Sequence, residues 1–350
     1  MQPLSFLLIS LLHVALHGTA NGAEVIAPDQ LAQRYSLTAS TSFPFPTATQ
    51  SVSDTEALLV SGWGLGRARV QNSPENLQFV ADPYPSSTGT VSTGVLNSTG
   101  PVLQVTYPAK SFSHETGGTQ FFNLWNNTAG GNFLSMMLTY ELAFEDGFDW
   151  VKGGKLPGLR GGLNSTGCSG GNQPTGDCFS ARLMWRKNAN GEVYAYIPTT
   201  NDICSRRGII CNSDFGTSFN RGSFGFTTGR WNRVTILTQL NNPPNVANGQ
   251  MRVYYNDEQV VDAEGLQIRN TDEVSINGLF FSTFFGGNDD SWATPNTVHS
   301  YFRNIQMWGG ENPSSLTGPV IKSSALPQTP RTAVGFVMAS IAFGAVTALV

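Results

Sequence analysis

The chain has 350 residues, few charged side chains (13 %) and a formal net charge of −4. Beyond the first twenty residues it contains only two histidines, His114 and His299, which argues against a metal centre built on histidine. We therefore expect neither a metal ion nor a cofactor.

Residues 1–20 predict a cleaved secretory signal peptide. An apolar run from Leu4 to Leu16 is followed by small residues around Ala20 to Ala23, which is the order that such signals show. We therefore expect an extracellular protein. The next segment, residues 21–56, is rich in Ser, Thr, Pro and Ala and predicts an extended lead-in that lies outside the core.

Residues 57–312 predict one all-β domain. Short runs of strand-forming residues are separated by Gly, Asn and Pro, and the sequence offers no convincing long amphipathic helix outside the terminal signals. From Met136 to Phe144 the apolar residues recur with a period of two, which indicates a strand with one buried face. The close spacing of many strands favours a β-sandwich of the jelly-roll type.

Glycosylation sequons and cysteines fit a secreted domain. Three sequons are present, at Asn97, Asn126 and Asn164, and each predicts a surface loop. The four cysteines lie as two close pairs in the sequence. In an oxidising compartment we expect two short-range disulfides, Cys168–Cys178 and Cys204–Cys211, each closing a polar loop.

Positive charge is concentrated in one segment of this acidic protein. Between Lys152 and Lys187 the chain holds six basic residues and a single acidic one, Asp177, which favours an anionic ligand. Outside the cell we expect this ligand to be an acidic polysaccharide and not nucleic acid. The candidate binding residues are Lys152, Arg160, Arg186 and His114.

The stretch from Phe179 to Pro198 predicts a β-hairpin with one apolar and one polar face. A three-residue loop, Ala189-Asn190-Gly191, with Gly191 left-handed, would place Arg186 opposite Tyr194. One face then carries Ser180, Arg182, Met184, Arg186, Tyr194 and Tyr196. The core face carries Ala181, Leu183, Trp185, Val193, Ala195 and Ile197. A two-residue Asn-Gly turn would instead mix the two faces.

The polar face contains the groups that cleavage of a uronic acid polymer by β-elimination requires. A base removes the C5 proton and the C4 oxygen leaves, while cations and hydrogen-bond donors stabilise the charge that develops next to the carboxylate. Tyrosine can act as base or acid, and a nearby Arg or Lys would lower its pKa from about 10. This chemistry needs no metal.

The C-terminal sequence predicts a GPI-attachment signal. Small residues, Ser323 to Ala325, precede a polar spacer and an apolar tail from Ala333 to Val350. We take Ser323 as the attachment site, residues 313–323 as a linker and residues 324–350 as the removed propeptide. A membrane helix that stays in place is the alternative, since the tail is long enough to span. The absence of basic residues after the tail favours the lipid anchor, at the cell surface or wall.

The sequence FDWVKGGKLPGLRGG, from Phe148 to Gly162, together with the hairpin, resembles the core of polysaccharide lyase family 14. This family contains alginate and other polyuronate lyases and has relatives in fungi. The likeness extends from about Leu103 to Trp308 and implies a β-jelly roll. We expect a secreted, monomeric member of fungal type. The two loop disulfides and the anchor signal are not part of the viral and molluscan members.

The resemblance also implies roles for individual residues. Lys155 matches the essential lysine of the cleft, and Ser180 and Arg182 match the substrate-binding pair. Tyr194 and Tyr196 match the tyrosine pair implicated in proton transfer. We expect Lys155 on a loop, beside the carboxylate with Arg182, and Tyr196 as the base and acid, with Tyr194 as its neighbour.

Two other functions stay open at this point. One is a non-catalytic carbohydrate-binding or cell-wall protein on the same fold. The other is a jelly-roll glycoside hydrolase that would use carboxylates between Glu141 and Asp149. For the lyase, alginate, glucuronan and other uronans are all compatible substrates.

Overall fold

The computed structural model describes residues 24–85, 100–163, 168–171, 174–200, 202–212 and 215–322. Within them the helices are α1 (Pro28–Arg34), α2 (Val52–Gly62) and α3 (Ser113–Thr116). The strands are β1 (Ala39–Ser42), β2 (Leu77–Val80), β3 (Val102–Tyr107), β4 (Thr119–Phe122), β5 (Ser135–Phe144), β6 (Gly153–Gly162), β7 (Cys178–Arg186), β8 (Gly191–Tyr196), β9 (Ile209–Ile210), β10 (Thr217–Phe219), β11 (Trp231–Gln239), β12 (Gly249–Tyr255), β13 (Glu258–Leu266), β14 (Ile276–Phe285) and β15 (Val298–Gly310).

The strands form two antiparallel sheets. The eight-stranded sheet has the order β13-β12-β11-β5-β15-β3-β2, with β1 also paired to β15. The seven-stranded sheet has the order β4-β14-β6-β7-β8-β10-β9. This confirms the predicted all-β sandwich, and the architecture is consistent with a jelly roll.

The core lies between the two sheets and follows the alternation of the strands. In β5 the side chains from Met136 to Phe144 at every second position enter the core, as the sequence predicted. In β7 and β8 the inward side chains include Leu183, Trp185 and Val193, all fully buried. Burial of each such large apolar side chain contributes about 1.5–3 kcal/mol to stability, so the outward face of the hairpin is free for polar residues.

A buried hydroxyl ties the two sheets together near the middle of the sandwich. The Tyr107 hydroxyl lies 2.5 Å from Thr283 Oγ1 of the seven-stranded sheet and 2.7 Å from Ser300 Oγ of the eight-stranded sheet. Because its hydroxyl has two partners, this tyrosine can be buried without the cost of an unpaired polar group. Burial raises its pKa well above the usual value, so it stays neutral.

The N-terminal segment is part of the fold, which corrects the prediction of an extended lead-in over residues 21–56. Helix α1 covers the outer face of the eight-stranded sheet, with Leu31 fully buried against Met137 and Trp308. Phe43 packs in the main core. Helix α2 begins at Ser51, whose Oγ accepts a hydrogen bond from Asp54 N as an N-cap.

The segment after the last strand is also docked, which corrects the predicted linker over residues 313–323. Ser314 N donates to Leu240 O at 3.0 Å, and Ala247 N donates to Pro319 O at 2.9 Å. The predicted signal peptide, the anchor signal with Ser323, and the sequons at Asn97 and Asn164 lie outside the described residues. Asn126 is exposed, as its sequon predicts. No helix among the described residues is long and apolar enough to cross a membrane.

The hairpin of β7 and β8 has the predicted faces but a different register. Its loop has three residues, Lys187 to Ala189, closed by a hydrogen bond from Arg186 N to Asn190 O. Arg182 is therefore opposite Tyr194, and Ser180 is opposite Tyr196. The left-handed residues are Asn188 and Ala189, not Gly191. Because the observed loop, like the predicted one, has an odd number of residues, the same side chains of β7 and β8 share each face of the hairpin.

Strand β6 corrects a second prediction, because it carries Lys155 on a central strand and not on a loop. The glycines of β6 allow neighbouring groups to approach closely. A Cβ on Gly154 would lie 2.1 Å from the Trp185 ring, and one on Gly158 would lie 2.1 Å from Ala181 O. Pro157 sits at a register shift between Leu156 and Gly158, a place where a sheet tolerates proline. The result aligns Lys155 with Met184 of β7.

Candidate active site

The polar face of the seven-stranded sheet forms the floor of a cleft of about 550 Å³. Residues of α3, β4, β6, β7, β8, β9, β10 and β14 line it, together with the loops that follow β6, β9, β10 and β14. Of the predicted site residues, the structure brings together Lys155, Arg182, Arg186, Tyr194, Tyr196 and His114 along this cleft.

Arg182 lies in the floor of the cleft, on β7. Its Nη1 donates to Ser282 Oγ at 3.0 Å, and Ser282 Oγ donates to Gln120 Oε1 at 3.2 Å. The guanidinium carbon is 4.4 Å from the Phe280 ring centroid and 5.8 Å from that of Tyr196. Burial lowers the pKa of Arg182, and the two tyrosines of β8 partly offset this. Arginine remains a cation under such conditions, so a fixed positive charge faces the cleft.

Lys155 reaches over the tyrosines from the neighbouring strand. Its Nζ is 3.6 Å from the ring centroid of Tyr194 and 3.1 Å from Met184 Sδ. Burial lowers the pKa of Lys155 well below its ordinary value, and the positive charges of Arg182 and Arg186 lower it further. This lysine therefore releases its proton more readily than an exposed lysine, and an entering anion would favour its charged form.

Tyr194 and Tyr196 stand side by side on β8, with ring centroids 5.7 Å apart in an edge-to-face arrangement. Each hydroxyl accepts a hydrogen bond from a backbone N–H of a nearby loop, Tyr194 from Gly216 at 2.9 Å and Tyr196 from Gly171 at 3.3 Å. Burial raises the pKa of Tyr194 well above its usual value, and Arg182 offsets this only in part. For Tyr194, the lowering of the pKa predicted from a neighbouring cation is present but is outweighed by the effect of burial.

Glu192 is a buried acid beneath the cleft that the sequence interpretation missed. Its carboxylate accepts hydrogen bonds from Arg186 Nε at 2.7 Å, Arg221 Nε at 2.5 Å and Ser218 Oγ at 2.6 Å. The ion pairs to Arg186 and Arg221 fix both guanidinium groups at the edge of the cleft. The sequence could have placed this side chain on the polar face, because side chains alternate along a strand and residue 192 therefore shares its face with Tyr194 and Tyr196.

His114 lines the cleft, and Lys152 lies beside it, next to the lining residue Trp292. Lys152 is exposed and donates a hydrogen bond to Ser291 Oγ, and its Nζ is 5.7 Å from the Trp292 ring centroid. His114, from α3, lies against Phe284 with ring centroids 5.7 Å apart. Both are placed where a polymer in the cleft could touch them.

Ser180 and Arg160, two predicted binding residues, do not line the cleft. Ser180 is fully buried, and its Oγ donates to Cys168 O at 2.6 Å. Arg160 is fully buried as well, with Nη1 donating to Asn277 Oδ1 at 2.7 Å and its guanidinium 5.4 Å from the Phe122 ring centroid. Neither side chain is accessible to a ligand, so the sugar contacts predicted for them are not supported. Ser180 instead holds a loop, and Arg160 holds a strand end.

The described residues that line the cleft do not include the carboxylate pair that a glycoside hydrolase needs. None of the described side chains that line it is an aspartate or a glutamate. Glu141, a candidate for that reaction, lies on the other sheet and is paired with Arg233 and Arg303. Glu145 is paired with His299. This distribution disfavours two-carboxylate chemistry in the cleft.

Both predicted disulfides are present and border the cleft. Cys168–Cys178 and Cys204–Cys211 each have a Cα–Cα distance of 5.5 Å. The first loop places Ser169 and Gly170 on the cleft and packs its disulfide against Met184 and both tyrosines. The second loop places Ile210 on the cleft wall.

Replacing Cys168 and Cys178 together with serine should lower the free energy of unfolding by roughly 2–3 kcal/mol, because the bond closes a short loop. The same variant should lower kcat, since Gly171 would no longer be held against the Tyr196 hydroxyl. Urea unfolding and initial rates measure the two effects. The matched control is the Cys204–Cys211 pair replaced in the same way, which should mainly affect KM; equal losses of kcat in both variants would contradict this assignment.

Comparisons with known proteins identify the family and the fold of this chain. The family model described as polysaccharide lyase 14 matches residues 95–305. The marine PL-14 alginate lyase of Aplysia kurodai is 35 % identical, with 66 % of this chain and 89 % of that chain covered and a TM-score of 0.55. The alginate lyase vAL-1 from a Chlorella virus is 23 % identical, with 65 % and 90 % covered and a TM-score of 0.50.

The alginate lyase Aly36B is 20 % identical, with 77 % of this chain and 96 % of that chain covered and a TM-score of 0.55. At this level of identity, Aly36B and the viral enzyme show a common fold. No curated protein sequence matches the chain.

Proposed function

The chain belongs to polysaccharide lyase family 14, and we propose that it cleaves a uronic-acid-containing polysaccharide by β-elimination. The observation that carries the proposal is the arrangement of Lys155, Arg182, Tyr194 and Tyr196 in one cleft, whose described lining residues include no carboxylate. Alginate is the first substrate to test, because the molluscan relative at 35 % identity is named an alginate lyase. Glucuronan is the second.

The cations of the cleft suit the first requirement of the reaction. A uronate carboxylate must lose much of its effective charge before the C5 proton becomes acidic. In the proposed complex the carboxylate lies near Arg182 and Lys155, with Arg186 close by. Arg182 is fixed by Ser282 and Phe280 before substrate arrives, so little reorganisation is needed when charge develops.

The tyrosines suit the proton transfers. In this proposal Tyr196 reacts as its phenolate: it takes the C5 proton as the C5–H bond breaks, and the C4–O4 bond breaks as the C4–C5 double bond forms. The Tyr196 hydroxyl formed in this way gives its proton to O4, which restores the phenolate. Because burial raises the pKa of Tyr194, its hydroxyl stays protonated and is suited to donate a hydrogen bond. We therefore assign the base and acid role to Tyr196 and a supporting role to Tyr194.

A panel of uronans tests the proposed function. The purified domain is incubated with alginate, glucuronan and a neutral glucan, while ultraviolet absorbance reports the C4–C5 double bond that elimination forms. Growth of absorbance with a uronan and not with the glucan supports the lyase. New reducing ends without absorbance would show a hydrolase, and binding without any cleavage would show a non-catalytic carbohydrate-binding protein.

We also propose that the protein is extracellular and held at the cell surface by a lipid anchor, acting as a monomer. Two disulfides among the described residues are consistent with an oxidising compartment. Phosphatidylinositol-specific phospholipase C should release the protein from membranes of the cells that make it. Protein that stays bound, with the peptide 333–350 still detectable by mass spectrometry, would refute the anchor.

A further inference from the structure

An aromatic ring and a cation meet at one end of the cleft, beyond the groups used for elimination. Trp292, in the loop after β14, is half-buried and lines the cleft. Lys152, just before β6, has its Nζ 5.7 Å from the centre of that ring. Lys152 lies in the turn that precedes β6, three residues before Lys155, and neither Lys152 nor Trp292 is among the groups assigned to the elimination.

The loop that carries the indole is built to hold it. A Cβ on Gly287, which has a φ of +83°, would lie 2.1 Å from Trp292 Cγ, and a Cβ on Gly286 would lie 3.5 Å from its Cε3. The backbone can therefore pack this closely against the ring only because residue 287 is glycine, whereas a Cβ on residue 286 would make an ordinary contact with the ring. Gly286 N donates to Gly153 O at 2.9 Å, which ties this loop to the start of β6 and thus to Lys152.

A second short turn fixes the position of Lys152. Asp289 accepts a hydrogen bond from Ser291 N at 2.9 Å, and Trp292 N donates to Asp289 O at 3.1 Å. Ser291 Oγ in turn accepts a hydrogen bond from the Lys152 ammonium. The ring and the cation are thus placed by local structure before any ligand binds.

The chemistry of the pair selects one kind of ligand. An indole offers an apolar face on which the C–H groups of a pyranose ring can stack, and an ammonium next to it attracts a carboxylate. A sugar that carries a carboxylate satisfies both groups, whereas a neutral sugar leaves the lysine without a partner. We propose that Trp292 and Lys152 form an additional subsite that binds one uronate residue of the polymer next to the residues that react.

This inference rests on the proposed function and predicts a dependence on chain length. Trp292→Ala should lower kcat/KM for a long alginate or glucuronan by about tenfold, the value expected for the loss of one stacking contact. Its effect on the shortest oligomer that is cleaved should be less than twofold, because that oligomer does not reach the subsite. Trp292→Phe should keep much of the wild-type rate on the long chain.

The lysine has a matched control. Lys152→Gln should raise KM for the long chain several-fold at low salt, with the difference shrinking at high salt as the charge is screened. Lys187→Gln removes an equally exposed lysine, in the turn between β7 and β8, whereas Lys152 lies beside the Trp292 ring; this control should leave KM unchanged. Equal losses on short and long chains for Trp292→Ala, or equal effects of the two lysine variants, would overturn the subsite.

The failure of the subsite can be told apart from that of the proposed function. If wild-type protein cleaves none of the uronans, binding of the same long and short oligomers is measured by calorimetry. Tighter binding of the long oligomer that Trp292→Ala abolishes would support the subsite without catalysis. Binding that is independent of Trp292, or no binding of any uronan, would overturn it.

Discussion

Replacing Lys155 with methionine will lower kcat for a responsive uronan by two to three orders of magnitude while the protein stays folded. A preorganised charge contact of this kind is commonly worth about 3–4 kcal/mol in the transition state. Methionine fills a similar volume beside Met184 and the Tyr194 ring, so that the floor of the cleft keeps its shape. Initial rates by ultraviolet absorbance measure the loss, with Lys187→Met as a control for an exposed lysine.

The same variant should make the protein more stable. The pKa of Lys155 is lowered on folding, whereas in the unfolded chain it is about 10.4. Between these two values the unfolded chain binds more protons at this position, so the wild-type free energy of unfolding rises with pH there. The energetic cost of burying Lys155 is therefore greatest at pH values below the pKa that it has in the folded protein. This cost disappears as the pH approaches the pKa that Lys155 has in the unfolded chain.

Unfolding in urea at about pH 6 and about pH 9 tests whether the free energy of unfolding of the wild-type protein rises with pH as expected. Lys155→Met should raise the free energy of unfolding at both values, and more at the lower pH. A gain in stability with a loss of kcat is the pattern expected of a functional group held in an unfavourable place. If Lys155→Met turns over substrate at near the wild-type rate, or destabilises the fold, the assignment of this lysine is wrong.

The face of the hairpin could be predicted, but its register could not. Side chains alternate along a strand whatever the pairing, so Arg182, Tyr194 and Tyr196 had to share a face once the loop length was odd. Gly191 suggested the position of the turn, yet its lack of a side chain serves packing, since a Cβ there would lie 2.1 Å from the Phe224 ring. Asn188 takes a left-handed conformation instead.

The glycines of β6 also led to a wrong prediction, because they serve packing and do not mark a loop. A run of glycines next to a proline is typical of a loop, and Lys155 was expected on one. In the structure Gly154 and Gly158 make room for Trp185 and for the backbone of β7. Such close approaches depend on side chains far away in the sequence, and a single sequence does not show them.

Some of the missed features were visible locally. Ser51 followed by Asp54 at the third position of a helix is a capping pattern, and it begins α2 inside the segment predicted to be extended. Glu192 shares the face of the two tyrosines by simple alternation. In contrast, the burial of Ser180 and Arg160 depends on how the Cys168–Cys178 loop and Asn277 fold over the end of the sheet, which only the tertiary structure reveals.

Replacing Tyr196 with phenylalanine should lower kcat by two orders of magnitude or more, with little change in KM. The substitution removes one hydroxyl and keeps the ring that packs against Tyr194 and the Cys168–Cys178 disulfide. A positioned base or acid contributes about 10²–10⁴-fold to such a reaction. Because an interaction made only in the transition state is lost, kcat and kcat/KM should fall together.

Tyr194→Phe is the matched variant, and it should lose less. Burial raises the pKa of Tyr194, so its hydroxyl is held protonated and can stabilise charge without taking the C5 proton. Its bond from Gly216 N would be lost in the variant, just as Tyr196→Phe loses the bond from Gly171 N, so the two changes are comparable in structure. A larger loss in Tyr194→Phe would exchange the two roles. Near wild-type rates in both variants would mean that neither tyrosine transfers the proton, and the base would then have to be sought at Lys155, whose lowered pKa makes it the remaining group in the cleft floor able to accept one.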